Sequence, residues 1–140
     1  MLSRANRKMF ELIARAIIQN QNHEILLVKR TKKPAQGKWI LPGGKVEFHE
    51  KAETCISREI KEELNMEFAP KFLDYREDFA SVPERHCMVL YFMGEVKGKM
   101  IIKRDEIAEA RYFTIEELID SDEIGFDHKD TLQTFSVTQK

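Results

Sequence analysis

Between residues 43 and 66 the chain carries Glu50, Arg58, Glu59, Glu62 and Glu63 behind the glycine pair Gly43-Gly44. On a helical wheel turning about 100° per residue, with Ala52 at zero, the apolar side chains run from roughly −60° (Cys55) to +120° (Leu64). Glu59 falls near −20°, Glu63 near +20° and Glu62 near −80° on the same approximate wheel, while Thr54, Ser57 and Lys61 lie on the far side. A merely solvated charge-rich helix would carry its acids on the outer face, and here they lean towards the apolar arc. Carboxylates crowded beside apolar surface repel one another and resist desolvation, so in ionised form they need positive charge close by. Oxygen-only ligands suit a hard cation such as Mg²⁺, with Mn²⁺ as a substitute. Mg²⁺ takes one or two protein carboxylates, keeps waters and borrows oxygens from substrate phosphates. The spacing therefore points to phosphate chemistry.

Several elements must hold these groups. The apolar residues Ala52, Cys55, Ile56, Ile60 and Leu64 recur at helical steps, which predicts a helix from about Glu50 to Leu64. Asn65 suits the left-handed conformation just beyond a helix end. Before the helix, the apolar run Trp39-Ile40-Leu41 stops at Pro42-Gly43-Gly44, which predicts a sharp turn. Leu12 to Ile18 and Glu24 to Lys29 are β-prone runs separated by the polar stretch Gln19 to His23 and read as a hairpin. Phe72 to Asp78, His86 to Val96 and Ala108 to Phe113 read as strands, with a turn at Lys97-Gly98-Lys99. Thr114-Ile115-Glu116-Glu117 fits a capping box opening a short helix, and Asp127 fits the cap of another. Strands broken by one strong helix and followed by short helices imply a mixed sheet with helices against it, an α/β (α+β) protein.

The 140 residues are one domain's length, 42% are hydrophobic and 34% are charged, so residues 1–140 read as a single globular domain. Twenty-three Lys and Arg against 24 Asp and Glu leave a formal charge of −1. That balance gives no support to nucleic acid or an acidic membrane surface as a partner. The two cysteines, Cys55 and Cys87, lack zinc spacing and read as reduced thiols. The N-terminal Arg4, Arg7 and Lys8 precede no apolar stretch long enough for a signal peptide, and no run approaches a membrane span. The expected compartment is the cytoplasm.

The segment from Gly44 to Met66 resembles the signature of the Nudix hydrolases, G-x5-E-x7-R-E-U-x-E-E-x-G-U with U a bulky aliphatic. Gly44, Glu50, Arg58, Glu59, Ile60, Glu62, Glu63 and Met66 fall on it, and Asn65 stands where the family has its second glycine. The run Trp39 to Glu47 looks like the usual approach to that box, and the likeness extends from Ile13 to about Leu118. The resemblance implies an α/β/α sandwich around a mixed β-sheet and divalent-metal dependence. It also implies hydrolysis of a nucleoside diphosphate linked to another moiety, by attack of a metal-activated water on a pyrophosphate phosphorus. Carried over by position, Glu59, Glu62 and Glu63 are the implied metal ligands, joined by the Gly43 carbonyl. Arg58 orients Glu59, Glu50 supports the cluster, and Gly44 keeps the loop clear of a β-carbon.

The proton acceptor varies across the family, and Glu106 and Glu109 are the later acids to test first, with Glu84 behind them. Lys29, Arg30, Lys32, Lys33 and Lys38, together with Arg76 and Arg85, are candidates to meet phosphates. Phe48, Phe79 and Tyr91 are candidates to stack on a base, each with an ordinary solvated or core reading beside it. The stretch Gly125 to Leu132 looks like a tail seen in Nudix proteins labelled ADP-ribose pyrophosphatases, while His128 reads as part of a capped surface helix. The expected substrate is a nucleotide or nucleotide sugar, either an ADP-ribose-like compound or a nucleoside triphosphate. Two other readings stand beside it: a non-catalytic nucleotide-sensing module, which typically loses box acids, and an RNA 5′-end pyrophosphohydrolase, which calls for a basic surface. A homodimer is open, since dimers are common in the family.

Overall fold

The structure is a computed structural model that describes residues 9–135. The basic residues Arg4, Arg7 and Lys8 lie outside the described residues. In chain order the elements are β1 (Met9–Ile18), β2 (Ile25–Arg30), β3 (Trp39–Ile40), β4 (Gly43–Lys45), α1 (Ala52–Leu64), β5 (Glu67–Phe68), β6 (Lys71–Asp78), β7 (Arg85–Gly94), β8 (Val96–Lys97), β9 (Ile107–Phe113), α2 (Ile115–Asp120) and α3 (His128–Phe135). Four strands form a sheet in the order β4-β1-β7-β6, three form another in the order β3-β2-β9, and β5 pairs with β8. β1 runs parallel to β7 and antiparallel to β4, which makes the larger sheet mixed.

The period of two along a strand sorts side chains onto opposite faces. Ala14, Ala16 and Ile18 of β1, with Leu26 and Val28 of β2, pack with Cys55, Ile56, Ile60 and Leu64 of α1. Ile13 and Ile17, with Ile25 and Leu27, face the other way and pack with Leu118 of α2 and Leu132 of α3. Helices therefore cover both faces, as expected for an α/β/α arrangement. Both faces of β1 and β2 are buried, which explains why each reads as an almost unbroken apolar run.

α1 begins two residues later than its periodicity suggests and ends at Leu64, where Asn65 takes the left-handed conformation (φ 60°, ψ 33°) and its N–H donates to the Lys61 carbonyl. The capping box at Thr114 is present in full: the Glu117 N–H donates to Thr114 Oγ1, and the Thr114 N–H donates to Glu117 Oε1. The hairpin expected from the first two strands is not formed as such. β1 and β2 belong to different sheets, and the strand pairing between them among the described residues is the isolated antiparallel bridge of Gln19 and Ile25. The partners of β1 come from farther along the chain, and they draw it away from its sequence neighbour. Among the described residues, no helix is long and apolar enough to cross a membrane.

The left-handed Asn65 gives a direct test of the helix end. Asn65→Val places a β-branched side chain at positive φ and should cost about 1–2 kcal/mol in urea denaturation. Asn65→Gly should stay close to wild type, and equal losses in both variants would mean that the Asn65 side chain, not the backbone conformation, matters there.

Candidate active site

Arg58 is the hub of the helix acids. Its Nε donates to Glu50 Oε2 at 2.7 Å and its Nη2 to Glu50 Oε1 at 3.0 Å, a two-pronged clasp whose planar fork matches a carboxylate. Nη1 reaches Glu59 Oε2 at 3.0 Å and Glu62 Oε1 at 3.3 Å. Hydrogen bonds from Arg58 hold the Glu50 carboxyl down at about 2, and Glu50 in turn raises the guanidinium above its ordinary range. Glu50 also accepts the N–H of Glu47, so it ties the loop before α1 to the helix.

The expected trio divides. Glu59 and Glu63 lie against one another and both line a cavity of about 350 Å³, whereas Glu62 turns to Arg58 and its side chain is half exposed. Among the described residues no three His, Cys, Asp or Glu side chains converge as a ready cation cage. Glu63 is buried, and its Oε1 has no hydrogen-bond partner among the described residues. Burial first, then the neighbouring Glu59, pushes the Glu63 carboxyl well above the usual range, and burial also raises Glu59. An orphaned buried oxygen beside a second carboxylate fits a hard cation: Glu59 and Glu63 would hold it, with Glu62 on the adjacent turn.

The backbone opposite leaves room for this pair. Gly44 is paired with Ala14, and a β-carbon on it would sit 2.6 Å from the Glu59 carboxyl carbon. Gly43, at φ 148°, stands opposite Arg15, and a β-carbon there would run into the Ala14 carbonyl oxygen. Both glycines line the cavity.

Arg15 also lines this cavity, and composition and motif spacing gave no reason to select it. It is buried, its Nη1 donates to the Leu41 carbonyl at 3.1 Å, and its guanidinium stands 5.6 Å from the Phe126 ring centroid. The available signal is a lone arginine inside the apolar run Leu12 to Ile18. His128 corrects the expectation of a surface residue. Only 3% of it is exposed, and its Nδ1 accepts the Leu41 N–H at 3.0 Å. The Leu41 backbone is thus held at its carbonyl by Arg15 and at its N–H by His128, just before the Pro42-Gly43-Gly44 turn.

The other candidates separate cleanly. Arg30, Lys33, Arg85 and Glu106 line the cavity, while Lys29, Lys32, Lys38, Glu84 and Glu109 lie outside it. Arg76 is engaged with Asp130 and Thr131. Tyr91 is fully buried with its hydroxyl at Thr131, so it is core, whereas Phe48 and Phe79 are exposed and stand apart from the cavity. Glu11, another buried acid inside β1, pairs with Lys45 Nζ at 2.8 Å and Arg85 Nη1 at 3.5 Å at the cavity wall.

A family model described as the NUDIX domain matches residues 9–135. The chain is 33% identical over 122 residues to the ADP-ribose pyrophosphatase of Methanocaldococcus jannaschii, across 85% of this chain and 69% of that protein. It is 31% identical over 103 residues to the NAD-capped RNA hydrolase NudC of Pseudomonas aeruginosa, across 73% of this chain but only 36% of that longer relative. The crystal structure of the MutT protein from Methanosarcina mazei Go1 superposes with a TM-score of 0.83 at 24% identity, across 93% of this chain and 95% of that one, and shares its fold.

The strained carboxyl pair makes a prediction about pH. A carboxyl that holds its proton more tightly folded than unfolded stabilises the fold only at low pH, and that contribution disappears as pH rises through its raised folded value. Without divalent ions the chain should lose thermal stability as pH climbs above Glu63's ordinary 4.5. Glu63→Gln should remove that loss and melt roughly 3 °C or more above wild type at about pH 8. A variant melting below wild type there would show that Glu63 is not under this load.

Proposed function

The chain belongs to the Nudix family, and we propose that it is a divalent-cation-dependent pyrophosphohydrolase acting on a nucleoside diphosphate linked to another moiety. The observation that carries this reading is the Glu59 and Glu63 pair, pressed together in the cavity corner beside Gly44 with one buried oxygen unpartnered among the described residues. Bound there, Mg²⁺ or Mn²⁺ would offset the charge of a pyrophosphate and lower the pKa of a coordinated water.

The remaining work falls to the chain. Arg58 fixes the direction of Glu59 through Nη1 and is itself fixed by the clasp on Glu50, so the carboxylates enter the site with little freedom left to lose. Arg15 and Arg30 line the cavity, and those of their guanidinium donors not committed to the Leu41, Lys32 and Lys33 carbonyls would suit phosphate oxygens. Glu106 lines the same space as Arg30 and Glu63, with its Oε2 3.2 Å from Lys103 Nζ, and would be the later acid that accepts a proton from water. Glu109 faces Lys29 across the β2–β9 ladder, away from that position.

A panel of nucleoside triphosphates, nucleoside diphosphate sugars, dinucleoside polyphosphates and capped RNA, assayed with Mg²⁺ and Mn²⁺ and read by product, tests the reading. Cleavage within a pyrophosphate is expected, and none with any of these would contradict it. Glu59→Gln and Glu63→Gln should each cut turnover by on the order of 10² or more while the fold persists, because they remove charge from the cation rather than packing. Arg58→Ala should lose less than either. Near-normal turnover in both glutamate variants would reject the site.

A further inference from the structure

Glu106 reaches the cavity from a tight turn before β9 that the chain fastens on two sides. The Glu106 N–H donates to the Lys103 carbonyl at 3.1 Å and the Ile107 N–H to the same oxygen at 3.0 Å, which closes the turn on itself. On the side of α1, the Lys103 N–H donates to the Glu63 carbonyl at 2.9 Å, and two residues earlier the Ile101 N–H donates to the Leu64 carbonyl at 3.0 Å. The turn is thereby tied to the backbone of the helix that carries Glu59 and Glu63.

The second tie comes from Thr31, the residue after β2. Its N–H donates to the Glu106 carbonyl at 3.1 Å, and its Oγ1 donates to the Asp105 carbonyl at 3.0 Å. The ladder between β2 and β9 shifts register between Lys29 and Arg30 and ends with Arg30 opposite Ile107, so Thr31 carries the contact onward with its side chain as well as its backbone. Thr31 also follows Arg30 directly, and Arg30, Glu63 and Glu106 line the cavity together. The Glu106 side chain is half exposed, and the cation that meets it, Lys103, belongs to the same turn. The pair therefore moves with the turn, and its place in the cavity depends on what holds the backbone.

We propose that Thr31 is a positioning residue for the reaction: by holding the Asp105 carbonyl, its hydroxyl sets how closely the Glu106 carboxylate approaches the water to be activated beside Glu59 and Glu63. This rests on the reading of the site as a pyrophosphohydrolase with Glu106 as the proton acceptor. Proton transfer needs heavy atoms within about 2.6–3.2 Å, so a turn displaced by a fraction of an ångström transfers poorly. The bond lies at the surface, where water replaces the hydroxyl as donor once it is removed. Stability therefore depends weakly on this hydroxyl, whereas the geometry of the turn depends on it directly. Arg30, the next residue towards β2, is steadied by other groups: its Nε donates to the Lys32 carbonyl at 3.1 Å and its Nη2 to the Lys33 carbonyl at 3.3 Å. An effect on phosphate binding through Arg30 is thus separable from an effect on Glu106.

Thr31→Val keeps the branched shape and the backbone N–H and removes the hydroxyl. The assay uses the full chain with Mg²⁺ and whichever compound it cleaves fastest among nucleoside triphosphates, nucleoside diphosphate sugars, dinucleoside polyphosphates and capped RNA. In Thr31→Val, kcat should fall about tenfold, with KM within about twofold of wild type and the melting temperature within about 2 °C. Thr31→Ser keeps the hydroxyl and should retain most of kcat. Added to Glu106→Gln, Thr31→Val should cost almost nothing more, because both changes act through one group. Thr114→Val, which removes the acceptor of the Glu117 N–H outside the cavity, should lower the melting temperature and leave kcat unchanged. A normal kcat in Thr31→Val overturns the proposal. So does a raised KM at normal kcat, which would place the effect on Arg30, or an undiminished loss on top of Glu106→Gln. A lower kcat that tracks a lower melting temperature and is shared by Thr31→Ser overturns it as well. If nothing is cleaved, the hydrolase reading falls and the positioning role falls with it, whereas cleavage that Thr31→Val leaves unaltered sinks the positioning role alone.

Discussion

Glu59 and Glu63 lie against one another in a largely buried corner of the cavity, and much of the surrounding structure holds them there. Ionised carboxylates in such a place repel, and a raised affinity for protons is the partial relief. Gly44 exists opposite them because any β-carbon would displace the Glu59 carboxylate. Arg58 exists beside them because one planar cation can clasp Glu50 and still steer Glu59. A site arranged in this way favours positive charge close by, which the proposed divalent cation would supply.

The same corner is fixed from the other side by the backbone of a single residue. Leu41 donates its N–H to His128 and gives its carbonyl to Arg15, so the first turn of α3 and the middle of β1 converge on the turn that delivers Gly43 and Gly44. Because both bonds are buried, breaking either leaves a polar group without water. The C-terminal helix is thereby part of the site's support, although it lies far from the signature in sequence.

Local signals in the sequence were enough for the helix, its left-handed end at Asn65, the capping box at Thr114 and the lean of Glu59 and Glu63 towards apolar surface. Each depends on neighbours within a few residues, where period and propensity act. Pairings across the chain were not legible. β1 and β2 look like a hairpin because a polar loop joins two apolar runs, but nothing local states that β1 will take β4 and β7 as partners. His128 looked exposed for the same reason, since its partner Leu41 lies 87 residues away. Arg15 and Glu11 were visible only as charges interrupting an apolar strand, which marks a buried polar site without saying what it faces. The outward turn of Glu62 reflects a competition won by Arg58 at the i,i+4 position, which the wheel alone does not rank.

Crystals of the chain grown with manganese chloride, measured at a wavelength where manganese scatters anomalously, test the central claim most directly. The account predicts an anomalous peak within coordinating distance of both Glu59 and Glu63, lost in the Glu63→Gln variant. A peak elsewhere, or clear density for two protonated carboxyls hydrogen-bonded to each other with no ion beside them at saturating manganese, would contradict it.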